Sequence, residues 1–263
     1  MSIKPVNRRD FLTLGVAALL LPPSRLGAEP VARKGTFAAE VGILYQVLTF
    51  RLSGHLQETV DRASGRYEVR IDGEGEAIAS RIRSSGVLRA GRWAPVQSES
   101  WFQVRGRESR SRVTYDWERR VIEFHARAET FFMRRLRVVD DELTIPPGAA
   151  VDDAMSASLN FREGSWSPGP DGRLQTLVVR RRRTDNEGPD EVAAGYRAEL
   201  VPLELRIEPD PDTRKPAALL DLSRFSSWAR ESRPARIVFD DERRPTLITG
   251  SMILGTSLTI RLT

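Results

Sequence analysis

The sequence predicts a mainly β protein, built as a single antiparallel sheet with one or two short helices. Three observations carry that expectation. Apolar and polar residues alternate in several short stretches, the period of a strand with one buried and one wet face. The spacing between these stretches leaves no room for crossover helices, which argues against parallel βαβ topology. The C-terminal stretch, residues 237–263, reads as three strands in a row. Within it Leu258, Ile260 and Leu262 alternate with Ser257, Thr259 and Arg261, and Gly255-Thr256 turns the chain back onto residues 247–254. A meander of this kind closes a sheet, so the fold needs its own C-terminus.

The N-terminus reads as an export signal rather than as part of the fold. Arg8-Arg9-Asp10-Phe11-Leu12 resembles the twin-arginine export motif. The apolar run 11–21 is too short to span a bilayer comfortably, and Pro22-Pro23 ends it. Leu26-Gly27-Ala28 is the best cleavage site, with Ala28 the last residue removed. The expected organisation is a signal peptide over 1–28 and a single β domain over 29–263, delivered folded to the periplasm by the twin-arginine translocase, or tethered to the membrane if the signal is not cleaved.

The mature chain then reads in order. Residues 36–52 have a β-favouring composition and give one or two strands, with Ser53-Gly54 as a turn or bulge. Asp61 to Gly65 supplies a turn. Tyr67, Val69 and Ile71 face one way and Glu68, Arg70 and Asp72 the other, until Gly73 and Gly75 interrupt the strand. Strands follow at 77–83 and 101–104, with Gly86 and Gly91 bounding 87–90. Val113, Tyr115 and Trp117 share a face in the best-defined hairpin, which turns at Glu118-Arg119-Arg120 and returns over 121–125. Residues 149–161 space Val151, Met155, Leu159 and Phe161 as a short helix or lid segment. A strand at 174–183 and another at 199–208, with Leu203, Leu205 and Ile207 on one face, precede a loop at Pro209-Asp210-Pro211-Asp212. Leu219, Leu222, Phe225 and Trp228 fall three apart, as in a second short helix over 219–229.

Composition excludes several function classes. The chain has no cysteine, so disulfides, thiolate metal sites and cysteine nucleophiles are absent. Removing residues 1–28 takes away four basic residues and one acidic one, which lowers the formal net charge from +5 to +2. Nucleic-acid binding thereby loses its main support. Lysine occurs only at 4, 34 and 215. The arginine excess reads as a codon preference, yet arginine also offers bidentate carboxylate and phosphate binding, which leaves an anionic partner open.

Across most of the mature chain the sequence resembles the exported bacterial family catalogued as domain of unknown function 3108. The resemblance is carried, in order, by an opening strand Leu44-Tyr45-Gln46-Val47, by Ile82 to Leu88, by Val113-Thr114-Tyr115-Asp116, by Thr144-Ile145-Pro146-Pro147-Gly148 with Asp152 to Leu159, and by Phe239 to Pro245 with Gly255. The chain departs from the family pattern over 186–197 and 219–229. The resemblance implies that the antiparallel sheet curls into an open or half barrel. The chain is also similar to periplasmic carriers that shuttle lipoproteins, whose curved sheet shields an apolar cavity. Family membership implies no known activity.

Chemistry-bearing sets are sparse. His55 and His125 lack metal-ligand spacing, and no nucleophile elbow, phosphate loop or dinucleotide fingerprint occurs. No metal and no cofactor is expected. Asp140-Asp141-Glu142, Asp152-Asp153 and Asp240-Asp241-Glu242 lack calcium-loop spacing and read as solvated turns. Aromatic residues Trp101, Tyr115 and Trp117 read first as core packing. In the functional reading they line an apolar cavity between the curled sheet and the 149–161 segment, together with Met155 and Leu159, and arginine at the rim holds an acidic headgroup. The expected function is a non-enzymatic periplasmic protein that binds a lipid or other apolar envelope ligand in a barrel cavity. The alternative is an envelope interaction or scaffold protein with a filled barrel. A hydrolase built on dispersed acidic residues ranks last.

Overall fold

The computed structural model describes residues 29–263 except 44, 183–186, 189, 227–228, 230–231 and 253–254. The expected signal residues Arg8, Arg9, Phe11, Leu12 and Ala28 lie outside the described residues, as do Leu44 and Trp228.

Among the described residues sixteen strands form one sheet, and one α-helix accompanies them. The first half is an up-and-down run of long hairpins: β1 (Val31–Ile43), β2 (Leu48–Asp61), β3 (Arg66–Gly75), β4 (Ile78–Arg89), β5 (Arg92–Val104), β6 (Arg107–Asp116), β7 (Val121–Glu129) and β8 (Leu136–Thr144). Each pairs antiparallel with the next. The short β9 (Val151–Asp152) leads into helix α1 (Ala154–Arg162). The second half is less regular: β10 (Ser167–Pro168), β11 (Leu174–Arg181), β12 (Ala198–Pro209), β13 (Pro216–Leu220), β14 (Ala235–Phe239), β15 (Pro245–Ser251) and β16 (Ser257–Leu262).

The C-terminal meander forms as expected, and β16 lies between β15 and β1 in the strand order. The chain therefore ends inside its sheet, with Phe37 opposite Leu262 and Gly42 opposite Ser257. The two halves are joined by a pairing more than 200 residues apart in sequence. The sheet curls without a closing ladder. Among the described residues β8 meets the segment just before β12 through an isolated parallel bridge, Val139 to Tyr196, reinforced by the Ala198 N–H donating to Asp141 Oδ2 at 2.8 Å.

Several expectations need correction. Ser53 and Gly54 do not turn; they run inside β2, and Gly73 and Gly75 belong to β3. The reason is close approach: the Phe37 ring lies against both Gly54 and Gly73, and a Cβ at either would sit 2.7 Å from a ring carbon. Gly86 does not bound a separate strand, because it lies within β4, where β5 carries a bulge. Residues 45–47 form a turn, not an opening strand. Ile207 is exposed, whereas Leu205 is buried. Among the described residues of 219–229 no α-helix forms: β13 ends at Leu220 and a 3₁₀ turn follows at Leu222–Arg224, the Ser223 N–H donating to Asp221. Leu222 and Phe225 fall one 3₁₀ turn apart, while Leu219 belongs to β13, so the three do not share a helix face.

Helix α1 sits between the two halves. Leu159 packs with Val60, Tyr67, Val69 and Trp93 of β2, β3 and β5. Ala157 and Phe161 pack with Trp166, Leu205, Ala218 and Phe239 of the second half. The helix thus fills the curl at one end, and a separate cluster of Ala39, Ile43, Phe50, Leu52 and Ile78, with Phe131 against it, fills the other.

Candidate binding surface

A bulge in β5 decides which side chains face inward. Ser85 pairs with Gln97 but Gly86 with Pro95, so Val96 is an extra residue on β5. Trp93 and Pro95 point into the curl before it; Ser98 and Ser100 do so after it. Trp93 is 0% exposed, while Trp101, an even number of residues away, ends on the opposite face. Without the bulge the two tryptophans would share a side.

On the inner face a polar network seats the helix. Asp153 caps α1, accepting from the N–H groups of Met155 at 3.0 Å and Ser156 at 2.7 Å, and the Ser156 hydroxyl accepts the Asp153 N–H. Asp153 Oδ2 also accepts from Ser84 at 2.5 Å, and Ser84 bonds Tyr67 Oη. Asp152 accepts four hydrogen bonds, from Arg92 Nη2 and Thr176 Oγ1 at 2.6 Å each, Asn160 Nδ2 at 2.8 Å and Ser156 Oγ at 3.1 Å. Asn160 in turn bonds both backbone groups of Trp93, beyond the point where β6 ceases to pair with β5. Arg162 makes two bonds to Glu58, an acid on the inner face of β2. Asp152 and Asp153 are therefore buried acceptors, not a solvated turn. Burial pushes the Asp152 carboxyl up against the pull of Thr176, Arg92, Ser156 and Asn160. Burial likewise raises the hydroxyls of Tyr67 and Tyr115, with Asp153 adding to both.

The expected cavity residues do not gather around one space. Tyr115 is 3% exposed in a cluster with Val113, Ile122, Phe124 and Val139, and Trp117 stacks on it with ring centroids 6.3 Å apart. Leu159, 1% exposed, and half-buried Met155 belong to the separate Trp93 cluster. Trp101 lies on the far side of the sheet. Tyr115 and Leu159 are both enclosed by side chains, in two different clusters.

The wet face of β4 to β8 holds an open groove of about 570 Å³. Strand register places its side chains in two adjacent rows. One runs Arg81, Trp101, Arg110, Arg127, Val138; the next runs Arg83, Glu99, Arg112, His125, Asp140. Five strands about 4.8 Å apart make each row roughly 19 Å long. Five arginines face two carboxylates in the lining. Glu99 is held by Arg112 at 2.8 Å and Asp140 by His125 at 2.6 Å. Arg110 pairs with Glu108, just outside, and Arg81 stacks 4.9 Å above the Trp101 ring. Arg83 and Arg127 have no carboxylate partner among the described residues. Arg83 on β4 and Arg127 on β7, three strands or about 14 Å apart, are thus each available to an anion.

Sequence reasoning passed over both features. The Asp153-x-x-Ser156 spacing is a capping signal. The groove was marked by arginines two apart, 81 with 83 and 110 with 112, which a strand places on one face. Among the described residues no group of three His, Asp or Glu gathers closely enough to hold a metal ion, and no helix is long and apolar enough to cross a membrane.

No family model and no curated protein matches the chain. Among solved structures the chain is similar to a beta-barrel-like protein of domain of unknown function 1849 from Brucella abortus, at 9% identity and a TM-score of 0.40, covering 89% of this chain and 95% of that one. It is similar, more distantly, to a porin-like protein from Bacteroides uniformis, at 9% identity and a TM-score of 0.18, covering 87% of this chain and 95% of that one.

Proposed function

We propose that this is an exported, non-enzymatic binding protein of the cell envelope that holds an anionic group in the arginine groove of its wet face. One observation carries the reading: Arg83 and Arg127 stand unpaired by any described carboxylate in a groove where five arginines meet two acids. The inner acids are committed elsewhere, since Asp152 and Asp153 are saturated by donors that seat α1. The ligand therefore sits outside the barrel wall, not in a cavity among Tyr115, Trp117, Met155 and Leu159. The side-chain clusters packed inside the curl support the scaffold alternative raised by the sequence, with the groove as its contact surface. Export rests on the twin-arginine signal. Periplasmic delivery is lost when Arg8 and Arg9 are both changed to lysine; undiminished delivery refutes it.

Calorimetric titration with inorganic pyrophosphate tests the groove. Arg83→Glu/Arg127→Glu weakens binding at least about tenfold, as charge reversal against an anion requires, and leaves thermal stability unchanged. Equal binding by both proteins overturns the reading.

A further inference from the structure

The hairpin turns of an up-and-down sheet alternate between its two ends, and the ends of this sheet differ. At one end, the turns after β2, β4 and β6 carry no exposed large apolar residue among those described. At the other, the turn after β1 exposes Tyr45 and Val47, and the loop after β7 exposes Phe132 at 46% and Met133 at 61%. That loop is held out in a fixed form. Asp190, from the connection between β11 and β12, accepts the N–H groups of Phe132 at 3.0 Å and Met133 at 2.7 Å. Arg107 braces its base, stacking 5.2 Å from the Phe131 ring centre.

The apolar surface continues from this tip toward the groove. Leu136 and Val138 are exposed on the wet face of β8, and Val138 lines the groove itself. Basic residues flank this path. Exposed Arg105 and Arg135 have no carboxylate partner among the described residues, while Glu129 is taken by Arg134 at 3.3 Å and Asp190 by the N–H groups of the loop itself. Glu74 and Glu76, beside the turn after β3, mark the acidic limit of the patch. Apolar tips ringed by arginine fit the interface of a bilayer bearing anionic lipids. The rings and the thioether enter the headgroup boundary and the guanidinium groups stay at phosphate level.

We infer that this end of the barrel docks on an anionic bilayer surface through Phe132 and Met133, presenting the groove to the lipid headgroups. The inference rests on the anion-binding reading for the groove, but the tip is tested separately. Because the chain has no cysteine, Met133→Cys in the full chain accepts a single environment-sensitive fluorophore, with Ala63→Cys at the opposite end as control. Vesicles of phosphatidylcholine with phosphatidylglycerol produce a blue shift and a several-fold rise in emission at 133 and no change at 63. High salt reverses the change, and phosphatidylcholine alone does not cause it. A silent label at 133 overturns the docking inference, even where pyrophosphate binding shows that the groove reading stands. An equal response to uncharged vesicles, or at both positions, overturns it too. A response at 133 that persists in Arg83→Glu/Arg127→Glu, with no pyrophosphate binding by the unaltered protein, removes the groove and leaves the tip.

Discussion

The space inside the curl and the outer face of β4 to β8 lie on the two sides of one sheet, yet polar groups do opposite things in them. Inside, every acid near the helix is matched: Asp152 to four donors, Asp153 to Ser84 and the helix N-terminus, Glu58 to Arg162. Outside, charges are numerous and incompletely matched, with Arg83 and Arg127 unpaired by any carboxylate described. The contrast follows from solvent. A buried unpaired charge costs several kcal/mol, whereas an exposed one costs almost nothing until a ligand arrives. Matching inside specifies the fold, and mismatch outside leaves binding capacity. Substitutions on the two faces should therefore separate stability from binding.

The largest effect is expected where the two halves meet. Trp93→Ala removes a fully buried indole that contacts α1 and bonds Glu163 through its ring N–H at 2.9 Å. A loss of about 3–5 kcal/mol is expected from the cavity left behind, read as a lower urea midpoint. Next comes Asp152→Asn, which sets an amide N–H among donors that the carboxylate had accepted. Its cost is about 1–3 kcal/mol. A variant as stable as the parent would show that the network does not seat the helix.

The alternation of Tyr67 and Val69, or of Val113 and Tyr115, was readable because one wet and one dry face leave a period of two. The C-terminal meander was readable for the same reason, although its closure onto β1 was not, since no local pattern encodes pairing with a strand more than 200 residues away. A short helix or lid over 149–161 was readable, but not that Val151 belongs to β9 and the helix starts at Ala154, nor that it packs inside the curl. Trp93 and Trp101 show the limit most sharply. Parity puts them together, and the single extra residue Val96 puts them on opposite faces. Bulges are set by tertiary curvature, so a linear reading has no access to them. The groove was half legible, because arginine pairs two apart were visible but their neighbours across five strands were not.

On the outer face, single charge changes should leave stability within about 0.5 kcal/mol while altering binding. Arg127→Ala, with its neighbours intact, is expected to weaken pyrophosphate binding several-fold and to reduce the salt dependence of the titration. A large stability loss would mean that Arg127 belongs to the fold and would blur the division between the faces.

A smaller effect concerns the tip. Burial alone would push the Asp190 carboxyl up, but the Met133 N–H, the Thr130 hydroxyl, the Phe132 N–H and Arg137 outweigh it and hold the group below the usual range. A depressed folded value means that the bonds are fully present above the unfolded value of about 3.9 and lost as pH falls through the folded one. The amide resonances of Phe132 and Met133 should therefore stay fixed at neutral pH and shift together only under acid conditions below the ordinary Asp range. Titration near neutrality would show that Asp190 does not hold the loop.

The smallest change separates core packing from ligand contact at a residue the sequence placed in the cavity. Tyr115 Oη is buried without a hydrogen-bond partner among the described residues, while its ring stacks on Trp117 and packs with Ile122 and Phe124. Burying an unbonded hydroxyl is unfavourable, and removing it leaves the ring contacts intact. Tyr115→Phe should then match the parent in thermal stability or exceed it slightly, with pyrophosphate binding unaltered. If the hydroxyl instead met a ligand within the curl, the same variant would lose affinity for that ligand at constant stability. A protein purified with a lipid-sized mass that disappears on Tyr115→Phe would return the binding site to the inner face. Unchanged native mass spectra for both proteins would keep the site outside.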